Sequence, residues 1–272
     1  MTDEPREQRG LSRDHLVVLA SLAALVVLSW IYIAQLAAHM PGPASPGMAS
    51  MGGMAMDGMS PPAPGRPAYG AYALAVLMWF VMMLGMMLPS ATPMLLLYAH
   101  VQSRRSGASP LIRTWCFGAG YLIVWGAFSL LAAALQQLLT QAALVTPGLT
   151  LTSSRIAGST LIAAGLYELT PFKQACLGKC RGPVAFIAGH WRNGTGGALV
   201  MGLDHGLYCL GCCWALMLLL FVGGVMNLLW IAALAGLVLV QKLLPGGLMI
   251  TWLTAAALAG AGAVVLFSHG LK

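Results

Sequence analysis

Long runs of uncharged, apolar residues limit what this chain can fold into. A membrane-spanning helix needs about 20 such residues, and the charged residues, which make up 8% of the sequence, stand mostly between the runs. A soluble domain carries roughly 25% charged residues. The sequence therefore predicts an all-α, polytopic transmembrane helix bundle and excludes an ordinary water-soluble enzyme.

We identify about seven candidate spans, and the fourth is so short that a count of six is also possible. They cover residues 16–38, 71–99, 111–139, 156–169, 198–221, 225–240 and 248–267. The first run is too long for the apolar segment of a secretory signal, so we expect a retained anchor. The chain then divides into an N-terminal tail with the first anchor (1–38), a flexible Met-rich loop (39–68) and a six-span bundle (69–272).

The basic residues indicate an orientation, because Lys and Arg concentrate in the cytoplasmic loops of membrane proteins. With the N-terminus inside, all of the 14 Lys and Arg except Arg66, Arg155 and Lys272 fall on the cytoplasmic side, Lys173 and Lys242 among them. We therefore expect a multi-pass protein of the bacterial inner membrane, with its N-terminus in the cytoplasm and loop 39–68 in the periplasm or outside the cell. The net charge of +7 is then explained by loop charges, and no nucleic-acid partner is expected.

The segment between the first two spans combines Pro, Gly and Ser with six of the 17 methionines. These are Met40, Met48, Met51, Met54, Met56 and Met59. Such a composition does not form a packed core, so packing does not account for the sulfur. Thioether sulfur selects Cu(I) or Ag(I) over hard cations and needs no deprotonation. We expect this loop to capture copper, and the alternative is a compositionally biased linker.

The second span has one side lined with methionine, three at i, i+4 and i+8 and two on the adjoining stripe. They are Met78, Met82, Met83, Met86 and Met87. Taken alone, this pattern favours packing over ligation, because methionine fills irregular helix contacts well. Pro89 and Pro93 are expected to kink the span and to leave backbone groups that the bundle must satisfy.

The fifth span carries the strongest chemical signal. His205, Cys209 and either Cys212 or Cys213 fall at i, i+4 and i+7 or i+8, on one side of a helix, and Met201 lies one turn before them. One imidazole and two or three thiolates, faced by thioethers, form a soft ligand set suited to Cu(I), with Zn(II) second. The main chemical alternative is a thiol–disulfide function. The spacing leaves open which of Cys212 and Cys213 is a ligand.

Two further cysteines, Cys176 and Cys180, follow the fourth span. Residues four apart can face together on a helix, so this pair can receive or hand over a soft ion at the cytoplasmic side. Alternatively, Lys179 and Arg181 simply anchor the segment to lipid headgroups. Cys116, in the third span, is expected to be a small core residue.

Three segments resemble a bacterial family of predicted metal-binding integral membrane proteins, a domain of unknown function linked to copper. They read MWFVMMLGMMLPSATP, GLYELTPFKQACLGKCRGP and HGLYCLGCCWALMLLLFVGGVMN. The resemblance extends from about Tyr69 onward and does not include the Met-rich loop. It implies a polytopic membrane protein that acts as a copper chaperone. It further implies a metal region made of Met82, Met83, Met86, Met87, His205, Cys209, Cys212 and Cys213.

Our leading hypothesis is a membrane protein that collects Cu(I) at the outer loop, holds it on the second and fifth spans, and delivers it to a protein partner. We assign no catalytic residue and expect a chaperone or assembly factor rather than an enzyme. One alternative is a soft-metal transporter with Cys176 and Cys180 at its inner exit, and another is a membrane thiol–disulfide oxidoreductase. The sequence lacks a nucleotide-binding signature, which argues against a primary pump, and it leaves the oligomeric state open.

Overall fold

A computed structural model describes residues 4–39, 68–106, 111–244 and 247–268. Nearly all of these residues are helical, which confirms the all-α fold. The helices are α1 (Glu4–His39), α2 (Ala68–Ser106), α3 (Leu111–Gln141), α4 (Ser154–Glu168), α5 (Pro171–Arg181), α6 (Pro183–His190), α7 (Gly194–Leu218), α8 (Leu220–Gly223), α9 (Leu228–Leu243) and α10 (Gly247–Ser268). Between α3 and α4, Val145 and Leu151 form an isolated antiparallel bridge.

Within the described ranges, five helical stretches are long and apolar enough to cross a membrane: α1, α2, α3, α7 with α8, and α10. The number of about seven spans is therefore not confirmed. At about 1.5 Å per residue, the 15 residues of α4 extend over roughly 22 Å and the 16 residues of α9 over roughly 24 Å. Both are shorter than a hydrocarbon core of about 30 Å.

Capping residues determine where α5 and α9 begin. The hydroxyl of Thr170 accepts the backbone N–H of Lys173 at 3.3 Å, which starts α5 directly after α4 ends. Gly224 has a φ of +93°, a left-handed conformation that favours glycine. Asn227 then caps α9 by accepting the N–H of Trp230 at 3.2 Å. Thr170 and Asn227 thus mark the points where one helix has ended and the next begins.

The close contact between α3 and α7 depends on two glycines. A β-carbon on Gly120 would collide with the carbonyl oxygen of Leu199, and one on Gly202 would collide with the backbone of Phe117. Small residues of this kind let membrane helices approach closely. The contact restricts how α7 is rotated about its axis, and it therefore determines which neighbours the cysteines of α7 meet.

Helix α2 continues through both of its prolines. Pro89 lacks the N–H that would bond to the carbonyl of Gly85 one turn earlier. The indole N–H of Trp30 on α1 donates to that carbonyl at 3.2 Å. The backbone group left by Pro89 is thus satisfied by a neighbouring helix, as the sequence predicts.

Helices α4 and α10 pack through a second pair of glycines. A β-carbon on Gly158 would lie 2.8 Å from the carbonyl oxygen of Gly262, and one on Gly262 would lie 2.7 Å from the carbonyl oxygen of Gly158. Backbone is in contact with backbone here, so neither position has room for a side chain.

We predict that Gly262→Ala lowers the unfolding temperature of the detergent-purified protein, because overpacking of this kind costs about 1–3 kcal/mol. The matched control is Gly260→Ala on the same helix, where a β-carbon meets nothing within 4 Å. Alanine at an open helical position stabilises by roughly 0.5–1 kcal/mol relative to glycine, so the control should unfold at the same or a higher temperature. Equal unfolding temperatures for the two variants would contradict the close α4–α10 packing.

Candidate metal centre

The methionine stripe of α2 faces the interior of the bundle. Each of its residues is at most 3% exposed, and all belong to the hydrophobic core. They are Met78, Met82, Met83, Met86 and Met87. The stripe therefore lies against other helices and not on the outer surface of the bundle. In this position it is available both for packing and for ligation.

The stripe meets α7 at Met87. The Sγ atom of Cys213 lies 3.9 Å from the Sδ atom of Met87. The Cys213 thiol also donates a hydrogen bond to the carbonyl oxygen of Cys209, one turn earlier, at 2.9 Å. Both cysteines are 1% exposed. A thiol and a thioether from two helices thus share one buried position, and both are soft donors.

Polar groups from two other helices contact the sulfur of Cys209. The ammonium of Lys242 on α9 donates to Cys209 Sγ at 2.9 Å and to the hydroxyl of Ser90 on α2 at 3.0 Å. The hydroxyl of Tyr121 on α3 lies 3.1 Å from Cys209 Sγ and 3.3 Å from the carbonyl oxygen of Met87. An ammonium and a phenol therefore converge on one buried sulfur atom.

His205 lies one turn before Cys209, within a cage of aromatic rings. Its ring stacks on Tyr121 with 5.7 Å between ring centroids, and it lies 6.0 Å from Phe117 and 5.4 Å from Phe186. Its Nδ1 atom is buried and has no hydrogen-bond partner among the described residues. Buried polar atoms are nearly always paired, so this nitrogen remains a candidate ligand.

The His and Cys residues of α7 do not form a ready-made metal group with one another. In the part of the chain that the structure describes, no three or more His, Cys, Asp or Glu side chains are arranged to hold a metal ion. A site built on Cys209 and Cys213 therefore needs a donor of another kind, and the thioether of Met87 is in contact with Cys213.

Cys212 and Cys213 both donate to the carbonyl oxygen of Cys209, and they differ in their contacts with other helices. Cys213 contacts Met87 of α2, whereas the thiol of Cys212 interacts with the thiol of Cys180 on α5 as well as with the thiols of Cys209 and Cys213. Cys176, one turn earlier on α5, packs against Gly211 of α7, where a β-carbon would lie 2.8 Å from the Cys176 sulfur. The two cysteines of α5 thus lie together against α7, on a different side of that helix from Met87.

The other methionines of the prediction lie elsewhere. Met201 is buried, and its sulfur accepts the backbone N–H of Arg192 at 3.3 Å, so it supports the start of α7. The methionines of the outer loop lie outside the described residues. They are Met40, Met48, Met51, Met54, Met56 and Met59.

Sequence reasoning missed the polar groups that lie near the thiols. It assigned Lys173 and Lys242 to the cytoplasmic side and gave neither a role in the site. The structure places both in helices, where they are only 0% and 6% exposed. Each lysine follows an apolar run, a position where lysine usually extends toward the lipid headgroups. The sequence pattern does not distinguish such a lysine from a buried one. Nothing in the sequence pattern indicated a role for Tyr121, because it reaches Cys209 only through the packing of α3 on α7.

A buried ion pair lies near Lys242. The ammonium of Lys173 pairs with the carboxylate of Glu168 and donates to Oε1 of Gln241 at 3.0 Å. The side-chain nitrogen of Gln241 donates to Glu168 at 2.9 Å and to Thr254 at 3.3 Å. These side chains join α4, α5, α9 and α10, so the helix that carries Lys242 is held by its neighbours.

We predict that Glu168→Leu lowers the free energy of unfolding by about 3–5 kcal/mol, because it leaves the Lys173 ammonium buried and unpaired. The double variant Glu168→Leu/Lys173→Met removes both charges and should recover most of that loss. Thermal unfolding of the purified variants provides the measurement. If the double variant is no more stable than Glu168→Leu, the ion pair is not the reason for the loss.

The chain was compared with known proteins. The model of a copper chaperone family matches residues 76–265, a segment that contains all of the thiols, methionines and polar residues placed at this centre. None of the curated proteins and none of the solved structures in the comparison matches the chain.

Proposed function

Because the chain belongs to the PpoB2 family of copper chaperones, we propose that it is a membrane-embedded chaperone that binds Cu(I) and passes it to a protein partner. Membership of the family accounts for copper and for chaperoning in general. The five long apolar stretches support a position in the bilayer. Copper is the cargo of this protein, and the thiols and thioethers of the bundle are its proposed ligands.

The contact between Cys213 and Met87 is the observation that carries the proposal. The Cys213 thiol also interacts with the thiol of Cys209 one turn earlier, so two thiols and one thioether converge between α2 and α7. Thiolate and thioether sulfur are soft ligands that favour ions such as Cu(I) over hard cations. A chaperone has to release its metal, and a site with few ligands permits exchange one ligand at a time.

The thiols of α5 offer a route toward a partner. Cys212 is 1% exposed, whereas Cys180, with which it interacts, is only half-buried. The neighbouring Lys179 is exposed. Copper that moves from Cys213 and Cys209 to Cys212 and Cys180 would therefore approach the surface. We propose that this end of α5 is where the partner receives or donates the ion.

The outer loop is the proposed collector. Its methionines, among them Met51, Met54, Met56 and Met59, bind soft ions without losing a proton and thus function in an oxidising compartment. The distribution of Lys and Arg supports a place in the bacterial inner membrane, with the N-terminus in the cytoplasm and this loop in the periplasm.

We predict that Cys213→Ser or Met87→Leu weakens Cu(I) binding by about tenfold or more, since altering even the groups that support metal ligands costs 10–100-fold in affinity. The measurement is copper content by mass spectrometry on the detergent-purified full chain, together with Cu(I) competition against a chelator. The matched controls are Cys116→Ser, a half-buried cysteine of α3, and Met94→Leu, another buried methionine of α2.

Both controls should retain copper. A variant without residues 40–59 should also retain it, because the proposed stable site lies in α2 and α7. Equal copper content in Cys213→Ser and Cys116→Ser would contradict the proposed site, and loss of all copper in the loop deletion would move the stable site to the loop.

A soft-metal transporter is the second candidate, because sulfur groups are in contact from α2 through α7 to α5. We predict that sealed vesicles containing the protein accumulate no more copper than vesicles containing Cys209→Ser, since a chaperone holds copper without conducting it. Accumulation that depends on Cys209 and Cys180 would favour the transporter instead.

The contact between Cys180 and Cys212 also favours a thiol–disulfide oxidoreductase as a third candidate. In such an enzyme these two thiols would form a disulfide while a disulfide of a substrate protein is reduced to two thiols, or the reverse, without copper. A disulfide between Cys180 and Cys212, with no copper bound in any preparation, would favour the oxidoreductase over the chaperone.

A further inference from the structure

Lys242 holds a positive charge against the candidate copper site. Its side chain is only 6% exposed, and its ammonium lies 2.9 Å from Cys209 Sγ and 3.0 Å from the hydroxyl of Ser90. Ser90 stands one turn after Met87 and donates to the Met87 carbonyl at 2.9 Å. The ammonium is therefore hydrogen-bonded to both helices that supply the sulfur.

Lys173 and Lys242, both buried in the described part of the bundle, differ in their partners. Lys173 pairs with the carboxylate of Glu168, so that pair is neutral as a whole. Lys242 instead donates to a hydroxyl and to a thiol sulfur. A buried charge without an opposite charge is strongly unfavourable. The charge of Lys242 therefore has to be included when the charges of the neighbouring site are added up.

The charges of the loaded site can be counted. Thiols bind metals as thiolates, so Cys209 and Cys213 contribute two negative charges, and the thioether of Met87 contributes none. Cys212 is not one of the three ligands, and its thiol, which donates to the carbonyl oxygen of Cys209 at 3.1 Å, is counted as neutral. With the ammonium of Lys242 present, a monovalent ion makes the buried group neutral. A divalent ion leaves a net positive charge inside an apolar bundle, which is unfavourable.

We propose that Lys242 is a specificity-determining residue of this site, whose fixed charge selects a soft monovalent cation, Cu(I) or Ag(I), over a divalent one such as Zn(II) or Cd(II). This inference rests on the proposed function, because it takes Cys209, Cys213 and Met87 as the ligands. Ligand softness by itself does not discriminate between Cu(I) and Zn(II), since thiolates also bind Zn(II) tightly. The charge of Lys242 supplies that discrimination without contact between the lysine and the metal.

The experiment measures dissociation constants for Ag(I) and Cd(II) by competition, on the detergent-purified full chain. The variants are Lys242→Met, which removes the charge at similar length, and Lys242→Arg, which keeps it. We expect Lys242→Met to lower the preference for Ag(I) over Cd(II) by about tenfold or more, mainly through tighter binding of Cd(II). Lys242→Arg should keep the preference of the unaltered chain.

A merely structural role for Lys242 would weaken both ions together and leave their ratio unchanged, and that result would overturn the inference. The unaltered chain provides a test that does not depend on how a variant folds. If it binds Cd(II) as tightly as Ag(I), Lys242 does not select for charge. If it binds neither ion, the proposed sulfur site itself is wrong, and the Cys213→Ser comparison will show the same failure independently.

Discussion

The close packing of α7 on α3 is the contact on which the candidate site depends. Gly120 and Gly202 place backbone against backbone, and a β-carbon at either position would collide with the facing helix. The rotation of α7 is therefore restricted, and its cysteines have defined neighbours. Tyr121, which follows Gly120, is brought to the sulfur of Cys209 by the same contact.

The rotation of α7 decides which sulfur groups of α2 and α5 its cysteines contact. Cys213 meets Met87 of α2, whereas Cys212, the next residue along the chain, meets Cys180 of α5. One side of α7 thus offers a mixed thiol and thioether site, and another offers a pair of thiols nearer the surface. An arrangement of small soft sites in contact suits a protein that passes copper onward, as the copper chaperone family implies.

Helix α9 links this sulfur to the buried charges of the bundle. Its adjacent residues Gln241 and Lys242 have different roles: Gln241 joins the Glu168–Lys173 ion pair, and Lys242 donates to Cys209. The hydrogen bonds of Gln241 hold the helix in place, so they also hold the ammonium of Lys242 beside the thiol. Polar groups buried among apolar helices are stable only when they satisfy one another, and here that requirement positions a charge at the candidate site.

The sequence by itself determined the all-α fold, the methionine face of α2 and the clustering of soft ligands on α7, because these depend on helical spacing within single segments. Spacing could not decide whether Cys212 or Cys213 meets the methionines, since that follows from the rotation of α7 against α3. The pattern did not indicate that Lys242 is buried, and the count of about seven spans, which included the runs that form the short helices α4 and α9, is not confirmed. Only the tertiary structure decided these points, since burial and partners depend on contacts between residues far apart in the chain.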